Sequence, residues 1–404
     1  MAISLVVGNR AVAHFLQGLD MKLGVQDPIA VFIMCPMGTN LAVRNLNPRL
    51  CLLKGYLTRK LCVLVSLIAA GGGFACTSFN IFTEGQNVVG KGLDWHQGHG
   101  MLAVNKRNVS KTALTVSPTD IPASWVSRYG SVTFNQYGRE FPYGGMNEKG
   151  LVVEILLLPK TNFPQSDNRP ALNELQWIQY QLDNYATVSE LFDHVEDLRI
   201  SRVYAPVHYM VCDRSGVCGS VEFLDGRLVG RWGGTMPIKT LTNDTYEESL
   251  RFLRQFIGFG GQLPIPAGYG SLERFAQAAD SVRRYSQSIN PVSYSLKLLR
   301  NLSNSQWRIV YNLISQNIHF ATFGDPNEKI VSMAFDFACS RPTLVLDVNR
   351  EGKGDVTQFF MPYTRSANEK IVTLAFKRME HVLPEGFKER VIDYPQSTHC
   401  NQMH

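Results

Sequence analysis

The chain has 404 residues, with 40 Lys and Arg against 34 Asp and Glu, and eight cysteines. That length allows one large domain or two small ones with a substantial core, and a formal charge of +6 would ordinarily point to nucleic acid or an acidic membrane. The distribution of charge excludes both: residues 1–75 hold seven Lys or Arg and two Asp, a surplus of five, so 33 basic and 32 acidic side chains remain beyond them, with no basic run.

The first organised segment runs from Tyr56 to Cys76. Arg59 and Lys60 form a basic n-region, Leu61 to Ala70 is an apolar h-region too short to stay as a membrane-spanning helix, and Gly73-Phe74-Ala75 is a small-x-small cleavage site. We therefore expect a leader over residues 1–75, with its signal peptide at about 56–75, and a single mature domain over 76–404 that is secreted or periplasmic. A signal peptide needs only about 15–30 residues, so the long stretch before Tyr56 points to an over-extended start, with Met37 one internal candidate. Cleavage between Ala75 and Cys76 would place a thiol and a free α-amine on one residue. Their reference pKa values, about 8.5 and about 7.7–8.0, are close enough for the amine to take the thiol's proton.

The competing reading is a non-catalytic lipoprotein or secreted binding protein anchored through Cys76. Acylation would consume both groups that catalysis needs. Lipoprotein signals prefer an aliphatic residue three before the cysteine, where this chain has Gly73, and Phe74 is bulky. No stable membrane anchoring is expected.

In chain order, Cys76 to Phe82 and Val88 to Gly92 read as a hairpin around Glu84-Gly85-Gln86. Trp95 to Trp125 shows little periodicity and reads as a long loop. Gly130 to Tyr137 and Gly150 to Leu158 are strands, the second apolar on both faces and so covered on both. Asn168-Arg169-Pro170 predicts a cap before a helix carrying Leu172, Leu175, Ile178 and Leu182, and Thr187-Val188-Ser189-Glu190 is a capping box before another. Strands return from Val203 to Leu241. There His208 to Cys212 and Cys218 to Leu224 flank a turn, so Cys212 and Cys218 form either a disulfide or two small buried thiols. Helices follow Gly270 and Asn290-Pro291. Trp307 to Tyr311, Ile318 to Thr322 and Ile330 to Asp336 are strands, and beyond Thr364 we expect one helical stretch and a frayed polar end over 396–404. Strand blocks covered on both faces, with helices between them, predict an α+β fold of two packed sheets sheathed by helices.

Five short segments, taken together, give Cys76 its meaning. They are Cys76-Thr77-Ser78-Phe79, Gly90-Lys91-Gly92-Leu93-Asp94-Trp95, Gly145-Met146-Asn147-Glu148-Lys149-Gly150-Leu151, Leu241-Thr242-Asn243 and Ser271-Leu272-Glu273-Arg274-Phe275. In order and spacing they resemble the choloylglycine hydrolase and penicillin V acylase family, linear-amide hydrolases of the N-terminal nucleophile class. The resemblance covers residues 76 to about 360. It implies a four-layer αββα sandwich of two mainly antiparallel sheets, no cofactor, and a homotetramer. It implies Cys76 as nucleophile, Asp94 as the carboxylate holding the terminal amine, Asn243 as the oxyanion-hole amide and Arg274 as a cation beside the reaction centre. Two positions depart from the family pattern. Lys91 stands where the resemblance implies an arginine that helps hold the thiolate at the substrate- and oxyanion-binding site, keeping the charge and losing the planar fork, and Leu157 stands where relatives carry an asparagine or tyrosine lining the oxyanion hole or substrate pocket.

The substrate implied is a small acyl amide such as penicillin V, a conjugated bile acid or an N-acyl homoserine lactone. The loops from Trp95 to Trp125, with Met101, Leu102 and Trp125, and from Pro159 to Pro170 are the expected pocket walls. No metal is expected: His96 and His99 are three apart, but Gly98 between them argues against a helix that would align them. Glu154, inside an apolar run, is either a selector for a cationic substrate group or a paired carboxylate.

Overall fold

The structure, a computed structural model, describes residues 76–377, 379 and 383–401. The leader expected over residues 1–75 lies outside the described residues.

β1 (Thr77–Thr83) and β2 (Gln86–Leu93) form the expected hairpin, paired from Thr77↔Gly92 to Thr83↔Gln86. The chain continues through β3 (Met101–Asn105), β4 (Ser131–Asn135), β5 (Pro142–Asn147) and β6 (Val152–Leu157). Helices α1 (Glu174–Asn184) and α2 (Val188–His194) follow, then β7 (Val207–Cys212), β8 (Cys218–Leu224), β9 (Arg227–Trp232) and β10 (Thr240–Leu241). Next come α3 (Tyr246–Leu253), α4 (Ser271–Arg283) and α5 (Pro291–Leu302). β11 (Trp307–Asn312), β12 (Asn317–Thr322), β13 (Lys329–Ser332), β14 (Leu344–Asp347), β15 (Gly354–Asp355) and β16 (Met361–Pro362) precede α6 (Arg365–Phe376) and α7 (Phe387–Ser397).

Two large sheets result. One runs β10-β1-β2-β11-β12-β13-β15 and the other β9-β8-β7-β6-β5-β4-β3-β14-β16. Among the described residues, only β13 with β15 pairs in parallel within them. Alternation along β1 assigns the layers: Phe79 and Ile81 face outward onto Ala278 of α4 and Val292, Leu298 and Leu299 of α5, while Cys76, Val89 and Leu93 face the other sheet. Between the sheets, Phe134 meets Trp307, Tyr311 and Phe320 at ring-centroid separations of 5.9, 6.4 and 5.6 Å. α1 covers the outer face of the second sheet, with Trp177 stacked on Tyr209 at 4.1 Å. The arrangement is the α+β, four-layer fold expected.

Several local expectations are corrected. Asn173, not Asn168, caps α1, its side chain accepting from the Leu175 and Gln176 amides. The segment read as a loop after Trp95 contains β3, buried at every position and so without alternation, and two strands of a small sheet, Val109–Thr112 and Ser124–Val126. The chain's end is not frayed through Asn401: His399–Cys400 adds a strand to that small sheet, and Cys400 is disulfide-bonded to Cys339. Cys212 and Cys218 lie opposite each other in register and are bonded, which resolves that alternative.

Candidate active site

Cys76, immediately before β1, is the one free cysteine among the described residues, and it is buried. Its thiol lies 3.9 Å from the Asp94 carbonyl oxygen, because β2 brings the chain back antiparallel and ends one residue before Asp94. Arg274 reaches the same point from the first turn of α4. Its Nη1 donates to the Cys76 carbonyl and to the Thr77 hydroxyl, both at 2.6 Å, its Nη2 donates to Asn243 Oδ1 at 2.8 Å, and its Nε donates to the Tyr269 carbonyl at 3.0 Å. A guanidinium can satisfy several acceptors in fixed directions, which a lysine cannot. Burial pulls Arg274 below its ordinary value, and Cys76, Asp94, Asp244 and Glu273 pull it back.

The bond from Arg274 also fixes which way the Asn243 amide points. With Oδ1 occupied, Nδ2 faces β6 and donates to the Leu157 carbonyl at 2.8 Å, which leaves its second hydrogen free of that bond. The Asn243 amide N–H is held in turn by Ser271 Oγ at 2.8 Å, and Ser271 donates to Thr242 at 3.1 Å. Four of the residues singled out in the sequence, Cys76, Asp94, Asn243 and Arg274, are thus gathered at one place. Leu157 joins them through its carbonyl, and its side chain lines the adjoining cavity.

Lys91 sits differently from the expectation of a cation at the thiolate. Its ammonium donates to the Ile155 carbonyl and stands 3.8 Å from Glu154. Glu154 is a paired carboxylate between the sheets rather than a selector of cationic substrates, since the Tyr311 hydroxyl also donates to it at 2.5 Å. The Gly145–Leu151 motif has a structural task. Asn147 Oδ1 accepts from the Lys149 and Leu151 amides, and its Nδ2 donates to the Leu182 and Tyr185 carbonyls. Gly150 adopts φ +85 at the turn, a left-handed conformation that costs glycine no Cβ clash. The motif fixes where β6, and so Leu157, begins.

Beside Cys76 opens an apolar cavity with about 710 Å³ of empty space, part of it open to solvent. Trp95, Tyr137, Tyr143 and Ile155 form its floor. Trp95 Nε1 donates to the Tyr137 hydroxyl at 3.0 Å, and Tyr137 and Tyr143 stack at 5.8 Å. Burial lifts Tyr137 to about 12, so its hydroxyl stays neutral. Glu174 also lines the cavity, but its carboxylate already accepts from the amides of Val203, Tyr204 and Ala205, which holds that wall in place. The far wall comes from α6 and α7 through Phe376, Phe387 and Val391. Of the walls expected from sequence, Trp95 takes part. Met101 and Leu102 are core residues of β3, Trp125 donates to Asp183, and residues 161–166 border a separate surface depression. The aromatic floor and the C-terminal wall were missed because they come together only through long-range contacts; the one local signal was Tyr143 beside Gly144-Gly145.

Comparison with known proteins gives the family and the fold. The family of linear amide C-N hydrolases, choloylglycine hydrolase family, matches residues 76–283. A penicillin V acylase of Pectobacterium atrosepticum is 24% identical over 323 residues, covering 65% of this chain and 82% of that protein. The structure of penicillin V acylase from Agrobacterium tumefaciens superimposes with a TM-score of 0.64 at 26% identity, over 72% of this chain and 98% of that one. A mutant of conjugated bile acid hydrolase from Clostridium perfringens, 15% identical, shares the fold with a TM-score of 0.57 over 70% of this chain and 98% of its own. With its fold, its motifs and more than half its length matched, the chain belongs to the choloylglycine hydrolase family of linear amide C-N hydrolases.

Proposed function

We propose that the chain becomes active when cleavage after Ala75 exposes Cys76 as an N-terminal nucleophile, and that it then cleaves amides whose acyl part is apolar and uncharged. The observation that carries the reading is the Arg274 bridge, which joins the Cys76 carbonyl to the Asn243 amide. In the acyl-transfer step Cys76 Sγ attacks the amide carbon while the residue's own α-amine takes the thiol proton, directly or through water. The free hydrogen of Asn243 Nδ2, together with a backbone N–H such as that of Leu157, stabilises the oxyanion. The protonated amine donates to the leaving nitrogen as the C–N bond breaks, and water then hydrolyses the thioester. Asp94 is the partner assigned to the amine, being adjacent to Cys76 in space.

The acyl preference rests on the cavity. Its walls are mostly aromatic and aliphatic, and its one carboxylate is already occupied by three backbone amides. Penicillin V, with a phenoxyacetyl group, fits that description and is the name carried by two of the relatives. Secretion is supported by the signal-like segment at 56–75 and by two disulfides, which persist in oxidising compartments. Steady-state hydrolysis of a panel of acyl amides by the processed protein and by Cys76→Ser tests the reading. Phenoxyacetyl and phenylacetyl amides should be the better substrates, and Cys76→Ser should lose nearly all turnover; a variant as active as the parent would refute it.

A further inference from the structure

Among the buried polar side chains to which the acyl-transfer reading gives no task, one group joins the two large sheets. Lys91 lies on β2, Glu154 on β6 and Tyr311 on β11, so the three come from both large sheets. Each is at most 1% exposed. The Tyr311 hydroxyl donates to Glu154 Oε1 at 2.5 Å, Lys91 stands 3.8 Å from Glu154 Oε2, and the Lys91 ammonium donates to the Ile155 carbonyl. Space for the carboxylate is left by Gly144, opposite Glu154 on β5, where a Cβ would stand 2.3 Å from the carboxyl carbon. Lys91 and Tyr311 are the charged and titratable groups that act on Glu154; its ladder neighbours Gly144 and Met210 carry no charge.

What the two bridged strands carry makes this arrangement consequential. Lys91 sits directly opposite Ser78, two residues from Cys76, on the strand paired with the nucleophile's own. β6 carries Ile155 and Leu157, which line the cavity, and the Leu157 carbonyl holds the Asn243 amide. The Lys91 bond therefore joins the nucleophile's sheet to the strand that seats Asn243. A buried ammonium needs a partner to stay in place, and Glu154, held by Tyr311, is that partner.

We propose that Lys91, Glu154 and Tyr311 form a cross-sheet tie that sets the spacing between Cys76 and the oxyanion-stabilising wall, making Glu154 and Tyr311 positioning residues for acyl transfer. The proposal rests on Cys76 being the nucleophile. Burial lifts Glu154 to about 7 against the opposing pull of Lys91 and Tyr311. The tie therefore carries its carboxylate charge above that pH and loses it below.

The test uses processed protein and penicillin V, with kcat and KM followed as pH is varied. Glu154→Gln should lower kcat by about tenfold near pH 8 with little change in KM. That deficit should shrink as pH falls below about 7, because the parent's Glu154 then becomes protonated as well. Tyr311→Phe keeps the ring in the core and removes a bond that favours the carboxylate, so it should lower kcat and move the acid limb to higher pH; it decides the question if Glu154→Gln does not fold. A Glu154→Gln deficit equal at every pH, a change confined to KM, or a Tyr311→Phe profile like the parent's would overturn the tie. Cys76→Ser separates the two readings. If that variant is inactive while Glu154→Gln and Tyr311→Phe behave as the parent, the tie alone fails; if it stays active, the nucleophile reading fails first.

Discussion

Arg274 occupies a helix's first turn, where a cation gains nothing from the helix dipole, and its place makes sense only through its acceptors. It holds the nucleophile's carbonyl and orients the Asn243 amide together, so the two side chains act as one unit. Asn243→Ala should therefore reduce kcat by about 10²–10³, or about 2.7–4 kcal/mol, the usual loss for an oxyanion donor. Arg274→Lys keeps a charge but cannot reach all the acceptors, and should reduce kcat by about tenfold or more. The double variant should lose far less than the product of the two effects, since Arg274 works partly through Asn243. A double-mutant cycle on kcat/KM measures that coupling; full additivity would mean that the two residues act separately.

Among the elements, those whose signals are local were legible in the sequence. The β1–β2 hairpin is marked by Gly85, which takes a positive φ at the turn expected there. Asn290 and Thr187 cap the helices predicted to follow them. The resemblance to a known family identified Cys76, Asp94, Asn243 and Arg274, although nothing local hints that Arg274 bonds a residue 198 positions away. What stayed hidden was held by distant partners. Lys111, on a short strand in a stretch without periodicity, bonds Glu140 at 2.6 Å and Asp183 at 2.9 Å, all three buried. Lys111→Met would take from buried Asp183 the cation beside it and leave Glu140 with Arg139 alone, and should cost about 3–5 kcal/mol in urea unfolding. α6 and α7, likewise unforeseen as a pocket wall, should govern acyl size. Phe387→Ala is expected to raise KM for phenoxyacetyl amides about tenfold, on the order of the loss of one well-buried ring contact, with a smaller effect on short acyl groups.

For the whole molecule, the C-terminal segment is tied down rather than trailing. Cys339–Cys400 closes 61 residues and Cys212–Cys218 only six. In the chain-entropy view the first contributes about 4 kcal/mol and the second about 2 kcal/mol, so replacing Cys339 and Cys400 by serine should lower the melting temperature more than replacing Cys212 and Cys218. The same closure brackets α6 and α7, the helices that wall the cavity, so the serine pair should also weaken discrimination among acyl groups. The proposed maturation would govern activity at this scale as well. While Cys76 remains inside a peptide bond it has a thiol but not the basic α-amine on which the proposed step relies.

The most direct measurement compares two purified forms of the chain, one beginning at Cys76 and one retaining the residues before it, for penicillin V turnover and for an acyl adduct by intact mass. The form beginning at Cys76 should turn over and carry the acyl group on that residue, with the longer form slower by at least about 10³, near the upper range for loss of a general base. Equal turnover by the two forms, or an adduct on any other residue, would contradict the assignment of Cys76 as a self-activated nucleophile.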